Sequence, residues 1–270
     1  MRKISRITTQ KKHKDRYNIF LDDGQEEQYG FSVDEAVLVE YRLHKGMEMD
    51  EATVTTLIHQ DTLHKSYTLA INYLSYRMRT KKEMYDYLIK KEVDDEHITH
   101  IMEKLIAEGL LNDQQFAEAF VRTRMNTSEK GPMLIKKELM EKGVRDTLAE
   151  EAVASYTYDT QFEKAMKLAK KKFQSGKSKS YRQQLQHVQG TLLQKGFTGD
   201  VVQVVAGELQ DEKDDHAEWQ ALVKQGEKLL RKYQQKYSGY ELHNKIKEAL
   251  YRKGFTIDHI NLFLDEQVDD

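Results

Sequence analysis

The sequence predicts a mainly all-α protein: tandem three-helix repeats forming an elongated curved array, with a small N-terminal β-hairpin plus helix extension. Three observations carry this. A short lysine-centred tetrapeptide recurs with a period of roughly fifty residues, in the range of helical arrays. Helix start signals precede the repeated element and apolar helical stripes flank it. Charged residues make up 33% of the 270, beside a mean hydropathy of −0.78, which implies a high surface-to-core ratio.

The first segment differs from the rest. Arg16-Tyr17-Asn18-Ile19-Phe20-Leu21 is β-prone, Asp22-Asp23-Gly24 is a turn signal, and Gln28-Tyr29-Gly30-Phe31 reads as the returning strand, with Ile4 to Thr9 available as a third. Ser32-Val33-Asp34-Glu35 then has the form of a capping box opening a helix toward Leu43, ended by Gly46. Asp50 opens another helix, which leads into the first repeat.

The repeated anchor is Lys91-Glu92-Val93-Asp94, Lys142-Gly143-Val144-Arg145, Lys195-Gly196-Phe197-Thr198 and Lys253-Gly254-Phe255-Thr256. Glycine here ends a helix in left-handed geometry, lysine before it suits the negative end of the helix dipole, and the apolar residue after it packs back on the helix just left. Before three of the anchors stand capping boxes, Thr80-Lys81-Lys82-Glu83, Ser180-Tyr181-Arg182-Gln183 and Ser238-Gly239-Tyr240-Glu241; the second unit instead uses Gly131-Pro132. From cap to anchor, the third and fourth units exceed the first by about one helical turn. Ile98, Ile101, Met102, Leu105 and Ile106 form one apolar stripe, and Trp219, Leu222, Val223, Gly226, Leu229, Leu230 and Tyr233 another. The expected division is an extension over 1–64 and three-helix repeats over 65–111, 112–158, 159–210 and 215–270. The acidic stretch Asp211–Asp215 reads as a hinge or linker.

Cysteine is absent, which excludes disulfides, a thiol nucleophile and thiolate metal sites. The N-terminus lacks an apolar run behind its basic residues, and no segment is long and apolar enough to span a bilayer, so a cytoplasmic chain without a membrane partner is expected. A monomer is expected. A net charge of −2 argues against a dedicated non-specific DNA binder. No phosphate loop, nucleophile elbow or base–nucleophile constellation emerges, so no catalytic residue, cofactor or metal is expected. His97 and His100 stand three apart on a helix, but without a third ligand nearby they read as part of a solvated face. Asp94-Asp95 fits a helix start, and Trp219 fits core packing.

Basic residues interleaved with aromatics are the candidate binding surface. Tyr73, Tyr76, Arg77, Arg79, Lys81 and Lys82 cluster where one helix gives way to the next. Arg122, Arg124, Lys130, Lys136 and Lys137 are assigned to the corresponding part of the second unit, so that Arg77 with Arg79 and Arg122 with Arg124 hold related positions. Arginine suits carboxylate and phosphate recognition, tyrosine interface packing; helix-end capping and solubility account for the same residues equally well. The lysine run Lys164, Lys167, Lys170, Lys171, Lys172, Lys177 and Lys179 is either a solvated helix face or an auxiliary basic face.

Ala70, Tyr73-Leu74-Ser75, Arg77, Arg79-Thr80 and Glu83 resemble the opening signature of the RecX family of RecA regulators. Phe116-Ala117, Arg124, Lys130-Gly131-Pro132, Ile135, Glu138-Leu139 and Lys142-Gly143-Val144 resemble its second motif. The likeness is strongest over 65–158; Glu92 departs from the anchor glycine, and Thr80 and Met84 stand where serine and leucine are expected. The resemblance implies tandem three-helix repeats that bind the groove of the RecA filament on single-stranded DNA. It implies that they limit ATP hydrolysis, strand exchange and filament persistence, within DNA recombination, repair and the SOS response. Some relatives support recombination instead. The inner units would dock through Arg77, Arg79, Arg122, Arg124 and Lys130. The rival reading is a sequence-independent DNA-binding module with weak contact to single- or double-stranded DNA, its phosphates tracked by the run from Lys164 to Lys179. A scaffold for another assembly is the third.

Overall fold

A computed structural model describes residues 1–176, 178–211 and 214–267. Lys177 of the basic run and Glu212 of the acidic stretch lie outside the described residues. The N-terminal strands are β1 (Arg2–Thr9), β2 (Arg16–Asp22), β3 (Glu27–Asp34) and β4 (Glu48–Met49), in the antiparallel order β3-β2-β1-β4. The helices are α1 (Glu35–Glu40), α2 (Glu51–Ser75), α3 (Lys81–Lys90), α4 (Asp95–Ala107), α5 (Asp113–Thr127), α6 (Pro132–Glu141) and α7 (Asp146–Val153). They continue with α8 (Tyr158–Ser175), α9 (Tyr181–Gln194), α10 (Gly199–Asp211), α11 (Asp215–Tyr233), α12 (Gly239–Arg252) and α13 (Ile257–Gln267). The fold is mainly all-α. No helix among the described residues is long and apolar enough to cross a membrane.

Contacts divide the chain into two compact units, Met1–Phe116 with Lys142–Val144, and Ala117–Glu141 with Arg145–Asp270. In the first, alternating Ile19, Leu21, Phe31 and Val33 bury one face of the sheet with Ile4, Val37 and Leu57. Asp61 of α2 ties this sheet to the helix. Its carboxylate accepts from the Arg16 guanidinium at 2.9 Å and from the Asp34 amide at 2.8 Å, and pairs with Lys65 at 2.7 Å. Burial opposes that charge, but the Arg16 and Lys65 bonds outweigh it and hold the carboxyl below its usual range.

Two N-terminal expectations are corrected. Ser32 is not a helix cap: it pairs with Asn18 in β3 and its hydroxyl accepts from Arg16, while Asp34 caps α1 by accepting from the Ala36 amide at 3.0 Å. Strand pairing and the burial of Val33 outweigh the local capping pattern. The helix also stops at Glu40 rather than near Leu43; Arg42 turns left-handed (φ 49°), and Leu43 is delivered to the sheet core. Asp50 caps α2 as expected, through the Thr53 amide at 2.7 Å, and α2 runs unbroken through residues 64 and 65.

Four helix triplets follow, and their middle helices α3, α6, α9 and α12 have 10, 10, 14 and 14 residues, the added turn expected in the outer two. The first triplet closes on Ala70, Met84, Leu88, Ile98, Ile101 and Leu105. The third closes on Ala165, Leu168, Val188, Leu192, Phe197 and Val201. The fourth closes on Leu222, Leu242, Ile246, Phe255 and Phe263, with Trp219 packed against them. Thr80 forms the full capping box, and Ser180 accepts from the Gln183 amide at 3.2 Å. Ser238 makes no side-chain cap bond, contrary to expectation; Gly239 behind it has φ +50°, so the chain does not enter α12 on the helical path that would present the Glu241 amide. His97 is a further correction. It is 4% exposed, not solvated, and its ring meets His59 of α2 edge-on with centroids 4.5 Å apart.

The anchors do more than end helices. The N-termini of the first three middle helices, α3, α6 and α9, are each bonded to the anchor of the following triplet. The Thr80 hydroxyl donates to the Lys142 carbonyl at 2.7 Å, and the Lys81 amide to Asp113 at 2.9 Å. The Gly131 amide donates to the Lys195 carbonyl at 2.7 Å, and the Met133 amide to Gly196 at 3.0 Å. The Ser180 hydroxyl donates to the Lys253 carbonyl, and the Tyr181 amide to the buried Glu218 at 2.6 Å. The otherwise unpaired carbonyl at each helix end thus accepts from the cap of another helix, a hydroxyl at Thr80 and Ser180 and a backbone amide at Gly131. The first of these bonds explains why Lys142–Val144 belongs with the first unit.

Candidate partner-binding surface

Residues 76–80 link α2 to α3, and Thr80 fixes the link by capping α3 and bonding the Lys142 carbonyl. This leaves Tyr76 outside, 85% exposed. Arg79 folds back, its guanidinium 3.9 Å from the centre of the Tyr73 ring. Tyr73 stacks in turn on Tyr87, with centroids 3.9 Å apart and planes within 5°. A cation on stacked rings is held by the ring quadrupole and by burial of its stem. Arg77 makes a two-pronged bond to Glu83, at 3.0 and 3.1 Å. Lys142 reaches the same carboxylate at 2.9 Å. Burial of Glu83 raises its pKa, but those two cations outweigh burial and hold it at about 2. Lys81 and Lys82 are exposed and make no ion pair among the described residues.

The second basic group is built differently. Arg122 and Arg124 lie within α5, whereas Arg77 and Arg79 lie in a link between helices. The expectation that the two arginine pairs hold related positions is therefore corrected. Spacing to the anchors makes Lys130, just before the Gly131 cap, the counterpart of Arg79, just before the Thr80 cap. Glu138 of α6 gathers Arg124, at 3.0 Å, and Lys130. The Arg124 contact is an ion contact rather than an aligned hydrogen bond, since neither facing atom meets hydrogen-bond geometry. The Tyr156 hydroxyl donates to the Lys130 carbonyl at 3.3 Å, and burial pushes that phenol up to about 12. Lys136 pairs with Asp146, at 2.9 Å, and with Glu150. Its pKa is raised, first by the Glu150 bond and then by that of Asp146. Lys137 is exposed and sits 3.9 Å from Glu141. Arg122 is exposed and unpaired among the described residues.

On α8, Lys164 is not a free surface charge. Its ammonium donates to the Met125 carbonyl and, at 3.2 Å, to that of Ser128, satisfying the end of α5, and burial lowers its pKa. Lys167, Lys170 and Lys171 are exposed; Lys164, Lys167 and Lys171 line a cavity of about 370 Å³ with Asn126, Ser128 and Glu129. Chemically, these surfaces offer charge and aromatic area for a large partner. Reading the sequence missed Glu83 and Glu138 as carboxylates that each bind two cations, and missed Tyr87. The only available signal for the two glutamates was their place in the two motifs; Tyr87 lies outside both.

Comparison with known proteins places this architecture. A model of the RecX N-terminal domain matches residues 2–50, and models of the RecX first and second three-helix domains match 67–105 and 112–153. The model of the third three-helix domain matches 159–205 and again 216–264. The chain belongs to the RecX family. It is 52% identical over 272 residues to "Regulatory protein RecX" of Oceanobacillus iheyensis, covering 100% of each chain. It is 42% identical to the protein of that name in Bacillus cytotoxicus, covering 99% of this chain and 98% of the other. The solved "Crystal structure of regulatory protein RecX" superimposes with a TM-score of 0.67 at 37% identity, over 76% of this chain and 98% of the other. RecX relatives are named as regulatory proteins, and the role of this chain is accordingly that of a RecX regulator. The repeated match of the third-domain model agrees with the two 14-residue middle helices.

Proposed function

We propose that this RecX-family chain is a negative modulator of RecA, binding along the groove of the RecA–single-stranded DNA filament and limiting its ATPase, strand exchange and persistence. Full-length identity to proteins named regulatory protein RecX is the observation that carries this reading, together with the two motifs of residues 70–83 and 116–144. Such a role places the chain in the cytoplasm, with the filament as its partner. Contacts with several protomers would multiply through effective concentration, and regulation requires only that one filament state be bound better than another.

The structure sharpens which basic residues to test. Tyr76, Lys81, Lys82 and Arg122 are exposed and unpaired among the described residues, so they are the first candidates for direct contact. Arg77, Arg124, Lys130 and Lys136 hold carboxylates of their own chain, and Arg79 holds Tyr73. Reversing their charge disturbs the surface that presents them as well as any contact they make. The test is RecA ATPase on single-stranded DNA, with the chain added before and after filament assembly. Reduced hydrolysis in at least one order is expected, and no effect in either order overturns the reading.

The exposed lysines Lys167, Lys170 and Lys171 beside the cavity on α8 favour a second reading, direct sequence-independent DNA binding. Salt-sensitive, tight binding to naked DNA without RecA would support it.

A further inference from the structure

The four middle helices share a feature that neither capping nor packing requires. Two residues before each anchor lysine stands a large apolar side chain exposed to solvent: Ile89 (45%), Met140 (48%), Leu193 (54%) and Tyr251 (57%). In the helix-ending motif the packing residue is the one before it: Leu88, Leu139, Leu192 and Leu250, each at most 1% exposed. The Leu88, Leu192 and Leu250 carbonyls accept from the amides of Val93, Phe197 and Phe255, which closes the motif. The exposed residue contributes only its carbonyl, as where Gly196 donates to Leu193 at 2.9 Å. Its side chain is left over.

A single exposed apolar residue is ordinary. Recurrence at one register in four diverged helices is not. The helices differ in length, and the side chain changes from isoleucine to methionine, leucine and tyrosine, while exposure and apolarity persist. The next position is always polar: Lys90, Glu141, Gln194, Arg252. Distance from the anchor is what is kept.

A small ligand would need a concavity at one unit, and a single globular partner would select one unit as well. A surface that meets the same apolar contact once per repeat must itself repeat. We propose that Ile89, Met140, Leu193 and Tyr251 each supply one apolar contact to successive protomers of a protein filament, which on the reading above is RecA on single-stranded DNA. The contacts are individually modest and additive through avidity.

The test measures affinity of the full-length chain for RecA assembled on single-stranded DNA. The variants are Ile89→Ser, Met140→Ser, Leu193→Ser and Tyr251→Ser, singly and together. Ile106→Ser and Leu110→Ser serve as controls, exposed (40% and 48%) but out of register. Each single variant should weaken binding roughly three- to ten-fold, and the quadruple should multiply these losses. The controls, the helicity and any binding to naked single-stranded DNA should be unchanged. If the unmodified chain binds the filament and the quadruple variant binds equally well, the ladder is wrong and the RecA reading stands. Loss traced to one residue, equal loss in the controls, or a changed oligomeric state also overturns it. Failure of the unmodified chain to bind overturns both.

Discussion

The first anchor and the third have the same backbone and different residues. Glu92 has φ 56° and Gly196 φ 83°, both left-handed after a helix that ends in lysine. Glu92 is exposed, and its triplet has no triplet before it. Gly196 lies under the start of α6: a methyl there would come closer than 3.0 Å to the Leu134 backbone nitrogen. Gly143 stands in the same way under Lys82. The difference teaches that glycine is needed twice over where one triplet docks on the next, for the turn and for close approach, and only once where nothing docks. What looked in the sequence like mild divergence marks the end of the array.

The largest effect expected from this comparison is at the third anchor. Gly196→Ala should cost about 2–4 kcal/mol, combining the left-handed penalty with displacement of a backbone that has no flexible end to yield. Chemical denaturation measures it. A loss below about 1 kcal/mol, the size of the left-handed penalty once the greater freedom of glycine in the unfolded chain is set against it, would show that the close approach relaxes freely.

The second effect separates the docked junctions by pH. Glu83 buttresses the junction at Lys142, and its carboxyl is held at about 2 against an ordinary 4.5. A carboxyl depressed in the folded state stabilises fully above its unfolded pKa, and that stabilisation is lost as pH falls from there through the folded value. Glu83→Gln should therefore destabilise by on the order of 2 kcal/mol at neutral pH, and the gap from the unmodified chain should close between about pH 4.5 and pH 2. A gap independent of pH over that window would mean that the ion pairs with Arg77 and Lys142 contribute nothing beyond shape.

Why some of this was legible in the sequence follows from range. Caps, helix-ending turns and apolar stripes are set by residues within a turn of each other, so Asp50, Thr80, Gly131-Pro132 and the anchors could be placed. Ser32 and Ser238 carried the same local pattern and failed, one because a strand claimed it, the other because Gly239 turns the chain. The basic surface was harder. Lys142 meets Glu83 across 59 residues, and nothing in a run of charges reveals which of them have such partners. Arg122 and Arg124 read alike in the sequence; only the fold puts Glu138 beside one of them. His97 looked solvated because periodicity shows a face but not the neighbour, His59, that covers it. The apolar position before each anchor was legible in principle, once the anchors were aligned.

The smallest effect is the most direct check on the opening contrast. Glu92→Gly removes a left-handed penalty of about 1–2 kcal/mol, offset by roughly 0.5–1 kcal/mol for the greater freedom of glycine in the unfolded chain. A net gain of about 0.5–1 kcal/mol is expected, of opposite sign to Gly196→Ala, and the side chain lost is exposed and makes no ion pair among the described residues. Thermal unfolding with the apolar residues of α3 and α4 unchanged measures it. If Glu92→Gly destabilises instead, the glutamate has a positive role that its exposure does not reveal. The first anchor would then differ from the others by selection for a contact rather than by release from one.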